Sequence, residues 1–126
     1  MLIDTDVLIW YMRGNEKARR VIKISNGFSI SVVTYMELVQ GLRNKEELNV
    51  LRNSLKGWNA EIIYINEEIS TKAMFLVEQY YLSHSIQLAD ALIGATAVIY
   101  GYPLLTSNTK HYKIIKNIIL RKFRPN

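Results

Sequence analysis

The stretch Met1-Leu-Ile-Asp-Thr-Asp-Val-Leu-Ile-Trp10 decides the fold. Leu2 and Ile3 are apolar and β-prone, acids follow at Asp4 and Asp6, and the apolar run then resumes. This pattern predicts a short buried strand that ends at the acids and turns directly into a helix. Ligands of an open α/β sheet bind beyond the carboxyl ends of its central strands, which predicts a functional position for Asp4. Alternatively, Asp4 or Asp6 serves only as the N-cap of the helix, because Asp is a preferred cap.

The size and composition of the chain predict one globular domain. Its 126 residues, 49% of them hydrophobic and 21% charged, suit a single domain over residues 1–126 with one core. The most apolar stretch, residues 91–105, is broken by Gly101 and Pro103, so no membrane span is expected. The first residues do not have the pattern of a signal peptide. The absence of cysteine excludes disulfides and thiolate metal sites and fits a cytoplasmic protein.

The charge of the chain points to a polyanionic partner. The formal net charge is +5 and the pI is about 9.5. A basic protein surface attracts phosphates, whereas a small acidic cluster within it can hold a metal ion. The combination is typical of a metal-dependent enzyme that acts on nucleic acid, although excess lysine also serves solubility.

Short apolar runs alternate with stretches of helical periodicity along the whole chain. The predicted strands are residues 2–3, 28–31, 60–65, 103–106 and 114–120. The predicted helices are residues 7–13, 16–25, 31–43, 45–56 and 87–100, together with a long helix that follows Asn66, and Asn15 is a predicted cap. The basic tail, residues 121–125, is expected to fray. The alternation predicts an α/β fold with a parallel sheet flanked by helices.

Three acids stand out because each interrupts apolar surroundings: Asp4, Glu37 and Asp90. Glu37 lies among Met36, Leu38 and Val39, which are predicted to be buried, and Asp90 lies at the start of a nearly apolar helix. Charged residues avoid such settings unless they are paired or bind a metal. Asp90 could instead complement its helix dipole, and Glu37 could lie on an exposed stripe or pair with an arginine.

A fourth polar group follows the strand at residues 103–106. Thr106, Ser107 and Asn108 come directly after this strand and are therefore expected at the same edge of the sheet as Asp4. Their hydroxyl and amide groups can orient a water molecule or a phosphate oxygen. An ordinary turn with local side-chain hydrogen bonds is the alternative.

The chemistry of these groups favours a hard cation. Carboxylates that meet at one point repel each other unless a cation neutralises them, and oxygen ligands without cysteine favour magnesium or manganese over zinc. His84 and His111 are far apart in sequence, which gives little support to a histidine-based zinc site or a Ser-His-Asp triad. No glycine-rich phosphate loop is present.

These motifs, in their order, resemble those of PIN-domain ribonucleases and, within them, the VapC toxins of toxin–antitoxin pairs. The resemblance rests on Ile3-Asp4-Thr5-Asp6, Met36-Glu37-Leu38 with Gly41, Asp90-Ala-Leu-Ile-Gly-Ala-Thr-Ala97, and Leu105-Thr-Ser-Asn108 with Lys110-His111-Tyr112. It implies a three-layer α/β/α fold with a central parallel sheet of about four to five strands.

The resemblance also implies a magnesium- or manganese-dependent endoribonuclease. Asp4, Glu37 and Asp90 fall on the metal-binding acids of the family, and Thr106 and Asn108 fall on its polar positions after the fourth strand. Family members generally dimerise, cleave structured RNA such as transfer or ribosomal RNA, and are inhibited by a cognate antitoxin. The same expectations apply to this chain.

One departure from the family keeps two other interpretations open. Many PIN domains have a fourth acid where this chain has His111, which puts the number of metal ions in doubt, and Asp6 is a candidate to compensate. A PIN-like module that only binds RNA or a partner protein is therefore an alternative. A haloacid-dehalogenase-like phosphatase is a second one, with Glu67-Glu68 as its candidate acidic pair.

Overall fold

A computed structural model describes residues 1–126 and contains five strands and seven helices. The strands are β1 (Leu2–Ile3), β2 (Ser29–Ser31), β3 (Glu61–Ile63), β4 (Leu104–Thr106) and β5 (Leu120–Lys122). The helices are α1 (Thr5–Met12), α2 (Glu16–Ser25), α3 (Val32–Gln40), α4 (Lys45–Gly57), α5 (Glu67–His84), α6 (Leu88–Tyr100) and α7 (Thr109–Tyr112). None of the helices has the length and hydrophobicity that a membrane span requires.

All five strands form one parallel sheet in the order β3-β2-β1-β4-β5, which confirms the predicted fold class. From β1 the chain adds β2 and β3 on one side and then returns to add β4 and β5 on the other. The direction of winding therefore reverses between β1 and β4. In a doubly wound sheet, the crevice beyond the carboxyl ends of the strands at this reversal is where ligands bind.

The two residues of β1 supply one side chain to each face of the sheet. Leu2 belongs to a core cluster with side chains of α5, α6 and α7, whereas Ile3 belongs to a cluster with side chains of α1 to α4. Both residues are fully buried, as expected for a central strand with helices on both faces. The result is the predicted three-layer α/β/α arrangement.

Short polar side chains begin several of the helices. Asn15 accepts a hydrogen bond from the Ala18 N–H, and Asn66 accepts one from the Ile69 N–H, so both predicted caps are confirmed. Asp4 in turn caps α1 by accepting a hydrogen bond from the Thr5 N–H at 2.8 Å. Because this cap begins the helix, α1 starts at Thr5, two residues before the predicted start.

The C-terminal segment differs from the sequence prediction. The fifth strand is residues 120–122, not 114–120, and it pairs in parallel with β4, where Thr106 lies opposite Lys122. The segment that was expected to fray is held by this pairing and by Phe123, which is only 3% exposed. The charged side chains of Arg121 and Lys122 remain exposed, as is common on an edge strand.

Two smaller predictions are also corrected. The helix expected over residues 31–43 is shorter, because Ser31 caps it and Gly41 ends it. Met36 is 51% exposed, although Leu38 in the same helix is buried as predicted. The one-turn helix α7 was not predicted, because four residues are too few for a periodic pattern.

Candidate active site

The parallel register of β1 and β4 places Asp4 beside Thr106. Ile3 pairs with Leu105, and the Asp4 N–H donates a hydrogen bond to the Leu105 carbonyl at 2.9 Å. One residue further on, the Thr106 hydroxyl donates to Asp4 Oδ2 at 2.8 Å. The structure therefore brings together these two predicted site residues, 102 positions apart in the sequence, at the carboxyl edge of the sheet.

Asp4 is both a helix cap and a buried acid, so the two interpretations of this residue are compatible. Its Oδ1 caps α1, whereas its Oδ2 faces β4. Only 5% of the residue is exposed. Burial, and secondly the nearby carboxylate of Asp6, raise the pKa of Asp4 to about 6, although hydrogen bonds from Thr106 and Thr5 oppose the shift. No positively charged side chain offsets the burial of this carboxyl group.

Asp6 belongs to the same edge and holds the loop after β4. The Ser107 N–H donates to Asp6 Oδ2 at 3.0 Å, and the Ser107 hydroxyl donates to the same oxygen. The other carboxylate oxygen, Oδ1, is buried and has no hydrogen-bond partner. A buried carboxylate oxygen without a partner is unfavourable unless a ligand satisfies it. The cap of α1 is Asp4, so Asp6 does not act as a cap but holds the loop after β4 and leaves one oxygen unsatisfied.

Glu37 reaches the site from α3 through hydroxyl groups of α1 and α3. The Thr5 hydroxyl donates to Glu37 Oε1 at 2.7 Å and lies 3.0 Å from the Thr34 hydroxyl oxygen. Thr5 lies between the two acids of the first motif, so it connects Glu37 to that motif. Glu37 itself is partly buried.

Asp90 enters from the first turn of α6 and lies close to the side chain of Tyr112. Burial, and to a smaller extent Glu37, raise the pKa of Asp90, whereas His111 and the Tyr112 hydroxyl lower it. Tyr112 is 1% exposed, and its hydroxyl also lowers the pKa of Asp4. Burial and the surrounding carboxylates raise the pKa of Tyr112, so its hydroxyl stays protonated and can donate.

The position of Tyr112 depends on a glycine one turn along α6 from Asp90. A Cβ atom at Gly94 would lie 3.5 Å from Tyr112 Cδ1 and 2.5 Å from Ile115 Cδ1. Residues four apart share a face of a helix, so the aromatic ring that packs on Gly94 carries α7 towards Asp90. His111 Nδ1 consequently lies 3.6 Å from Asp90 Oδ2.

Asn108 is placed differently from the other predicted site residues. Its side chain is exposed and does not cap α7, whereas its backbone N–H donates to the Thr106 hydroxyl oxygen at 3.0 Å. The loop is therefore ordered by backbone and hydroxyl contacts, as the turn interpretation proposed. The amide of Asn108 is left available at the edge of the site.

The residues fit a hard cation, although the carboxylates form pairs. No group of three or more acidic or histidine side chains is close enough in this structure to form a metal-binding cluster. Electrostatic coupling links Asp4 to Asp6 and links Asp90 to Glu37. The acidic donors are carboxylate oxygens, and the buried Oδ1 of Asp6 has no hydrogen-bond partner, which is the ligand chemistry that Mg²⁺ or Mn²⁺ prefers.

Sequence reasoning gave no role to Thr5 and Tyr112, and it placed Ser107 at this edge of the sheet without its contact to Asp6. Each of them contacts a carboxylate from a different element, so only the register and packing of the elements reveal them. The pair Glu67-Glu68, which the phosphatase alternative required, is exposed at the start of α5. The strand that precedes this pair, β3, lies two positions from β1 in the sheet, a distance of about 10 Å. The pair therefore does not follow a strand adjacent to β1, where Asp4 lies.

Comparison with known sequences gives the class to which this fold and site belong. The sequence model of the PIN domain matches residues 1–117. Ribonuclease VapC1 of Methanocaldococcus jannaschii is 34% identical over 125 residues, which cover 96% of this chain and 85% of that protein. Ribonuclease VapC10 of Mycobacterium tuberculosis is 33% identical, with 94% and 90% of the two chains covered. The chain belongs to the PIN-domain family and, within it, groups with the VapC proteins.

Solved structures agree with this assignment. A toxin–antitoxin complex from Klebsiella pneumoniae contains a chain that is 26% identical, with a TM-score of 0.72 and coverage of 99% of this chain and 97% of that one. A chain of DNA-bound VapBC from Salmonella typhimurium has a TM-score of 0.83 at 19% identity, with 96% of each chain covered, and supports the fold.

Proposed function

We propose that this protein is a metal-dependent endoribonuclease, the toxin of a VapBC-type pair, and that Asp4, Asp90 and Glu37 hold its Mg²⁺ or Mn²⁺ ion. The observation that carries the proposal is the set of carboxylates, one buried and the others partly buried, where the winding of the sheet reverses. Relatives named as ribonucleases support the reaction class. In this reaction a water oxygen attacks phosphorus, one P–O bond of the phosphodiester breaks, and the leaving oxygen takes up a proton.

Each hydroxyl contact in the site has a role in this reaction. A bound divalent cation would supply positive charge to the phosphate and lower the pKa of water. Thr106 fixes the orientation of Asp4, and Thr5 fixes that of Glu37. The exposed amide of Asn108 can hydrogen-bond water or a phosphate oxygen. Fixed ligands reduce the reorganisation that the reaction requires.

The substrate that the site suits is RNA with exposed phosphates. The net charge of +5 attracts a polyanion, and Lys110 is exposed beside the site on α7. Contacts to phosphates supply affinity but no sequence choice. We propose structured RNA, such as transfer or ribosomal RNA, as the substrate class.

An RNA cleavage assay tests the function. Purified protein is incubated with pools of transfer and ribosomal RNA in Mg²⁺, in Mn²⁺ or in EDTA, and fragment ends are mapped. Asp90→Asn and Asp4→Asn should each lower the cleavage rate by at least about 100-fold, because even the partners of metal ligands affect activity by 10–100-fold. Glu68→Gln is the matched control, since it removes an exposed carboxylate away from the site.

The outcomes separate the nuclease from a binding module. Fragments that need the cation, persist in Glu68→Gln and vanish in both aspartate variants support the nuclease. Retained cleavage in both aspartate variants would refute the site assignment. RNA binding without cleavage, by folded protein in either metal, would favour a PIN-like module that only binds.

An antitoxin and a second copy of the chain are the proposed protein partners. A cleft between α1, α3 and α4 is lined by apolar side chains such as Leu42 and Val50 and reaches Glu37, which suits an amphipathic segment with a basic residue. A second apolar surface, on α3 and α6, includes Met36 and Leu88, which are 51% and 70% exposed. Exposed apolar side chains of this kind suit an interface with a second copy of the chain. Light scattering of the chain alone tests the dimer, and co-expression with any small open reading frame found beside its gene tests the antitoxin complex.

A further inference from the structure

We infer that the His111 imidazole is a ligand of the metal ion together with Asp90, and that this nitrogen makes the site select Mn²⁺ over Mg²⁺. The inference rests on the proposed function, because it assumes that a cation binds at this edge of the sheet. It assigns a role to the residue that departs from the acidic pattern of the family.

The packing of α7 holds His111 at the site. Tyr112 is buried against Gly94, one turn along α6 from Asp90, so the adjacent His111 is brought to the carboxylate. The Nδ1 atom of His111 is 3.6 Å from Asp90 Oδ2. Two ligands about 2.1 Å from one cation, at right angles to each other, are about 3 Å apart, so a small rotation suffices. The His111 side chain is 57% exposed and free to make it.

The chemistry of the donor set gives the selectivity. Mg²⁺ prefers oxygen ligands and loses its water reluctantly, whereas transition metal ions accept imidazole nitrogen. A site of carboxylates plus one imidazole also has one negative charge fewer than a site with a fourth acid. Mg²⁺, whose binding depends on charge, therefore loses more than Mn²⁺ when histidine stands in place of an acid.

The competing explanation is an ion pair. A protonated His111 beside Asp90 would neutralise the carboxylate and compete with the cation. The two explanations predict opposite effects of removing the imidazole. If His111 is a ligand, His111→Ala weakens Mn²⁺ binding, whereas if it is a competing cation, His111→Ala strengthens it.

Electron paramagnetic resonance of Mn²⁺ decides between them. The signal of free Mn²⁺ gives the dissociation constant, and competition with Mg²⁺ gives the selectivity. Spin-echo modulation detects nitrogen bound to Mn²⁺, and protein with ¹⁵N-labelled histidine assigns that nitrogen to imidazole. The chain has only two histidines, so His84→Ala, at the exposed end of α5, is the matched control.

The expected results are specific. Wild type and His84→Ala should show nitrogen coupling. His111→Ala should lose this coupling and bind Mn²⁺ at least about tenfold more weakly. His111→Asp should lower the preference for Mn²⁺ over Mg²⁺ about tenfold. Tighter Mn²⁺ binding by His111→Ala would overturn the inference. The inference would also be overturned if wild type bound one Mn²⁺ ion that Asp90→Asn does not bind, but showed no nitrogen coupling. In that case the proposed metal-dependent function would still stand. Absence of any Mn²⁺ or Mg²⁺ binding by wild type would refute both.

Discussion

Asp4→Asn should make the stability of the metal-free protein less sensitive to pH. Asp4 is 5% exposed, and burial beside Asp6 raises its pKa from 3.8 to about 6 in the folded state. The folded protein therefore holds a proton on Asp4 in a pH range where the unfolded chain has lost it. Asparagine resembles the neutral carboxyl group and does not titrate.

The sign and size of the effect follow from proton linkage. The stabilisation by protonated Asp4 is fully present below pH 3.8, decreases as the pH rises, and is lost above about pH 6. A shift of about 2 units corresponds to about 3 kcal/mol of unfolding free energy, most of it lost between pH 4 and pH 8. Asp4→Asn should lack this loss, apart from a constant cost of about 1 kcal/mol if the Thr106 hydrogen bond is weakened.

Urea unfolding in EDTA, followed by the fluorescence of Trp10 and Trp58, measures the effect at steps between pH 4 and pH 8. The stability of Asp4→Asn relative to wild type should rise by roughly 2–3 kcal/mol across this range. Glu68→Gln, which changes an exposed acid, should follow wild type. Mg²⁺ or Mn²⁺ at pH 8 should stabilise wild type more than Asp4→Asn, since a bound cation favours the ionised carboxylate.

Parallel pH profiles of wild type and Asp4→Asn would refute the reasoning. Such a result would mean that Asp4 titrates alike in the folded and unfolded states, so its burial would cost nothing. A wild type that becomes more stable towards pH 8 while Asp4→Asn does not would reverse the sign of the pKa shift.

Two further predictions concern the packing that supports the site. Gly94→Ala places a methyl group 2.5 Å from Ile115 Cδ1. The overpacking should cost about 1–3 kcal/mol and outweigh the roughly 1 kcal/mol gained in helix propensity, so the Tm should fall. Gly57→Ala has no neighbour within 4 Å and should leave the Tm unchanged or raise it, so equal effects of the two substitutions would contradict this packing argument. Phe123→Ala should destabilise the protein by about 3 kcal/mol in urea unfolding, because the side chain is buried below the edge strand. Ile119→Ala, at a position that is 52% exposed, is the control and should cost well below about 1 kcal/mol. If Phe123→Ala left the stability unchanged, the C-terminal segment would be frayed.

The sequence predicted the features that depend on local pattern. The apolar pair Leu2-Ile3 followed by Asp4 identified a buried strand with an acid at its end, and the alternation of periods along the chain predicted a parallel sheet. Asn15 and Asn66 were recognisable as caps because a cap acts on backbone groups within three residues. Glu37 and Asp90 stood out because each interrupts apolar surroundings, and the family motifs added their roles in metal binding, which stay predictions.

The sequence predicted that Asp4 and Thr106 share one edge of the sheet, but most contacts between distant side chains were beyond its reach. The strand at residues 120–122 has a charged pattern that suggests a tail, and only its pairing with β4 makes it a strand. The contact of Ser107 with Asp6 depends on how the elements are placed, as does the packing of Tyr112 on Gly94. Local sequence therefore determined which side chains end the strands, because periodicity and capping act over a few residues. Tertiary structure alone decided which of them meet, since strand order, register and helix packing are fixed by contacts a hundred residues apart.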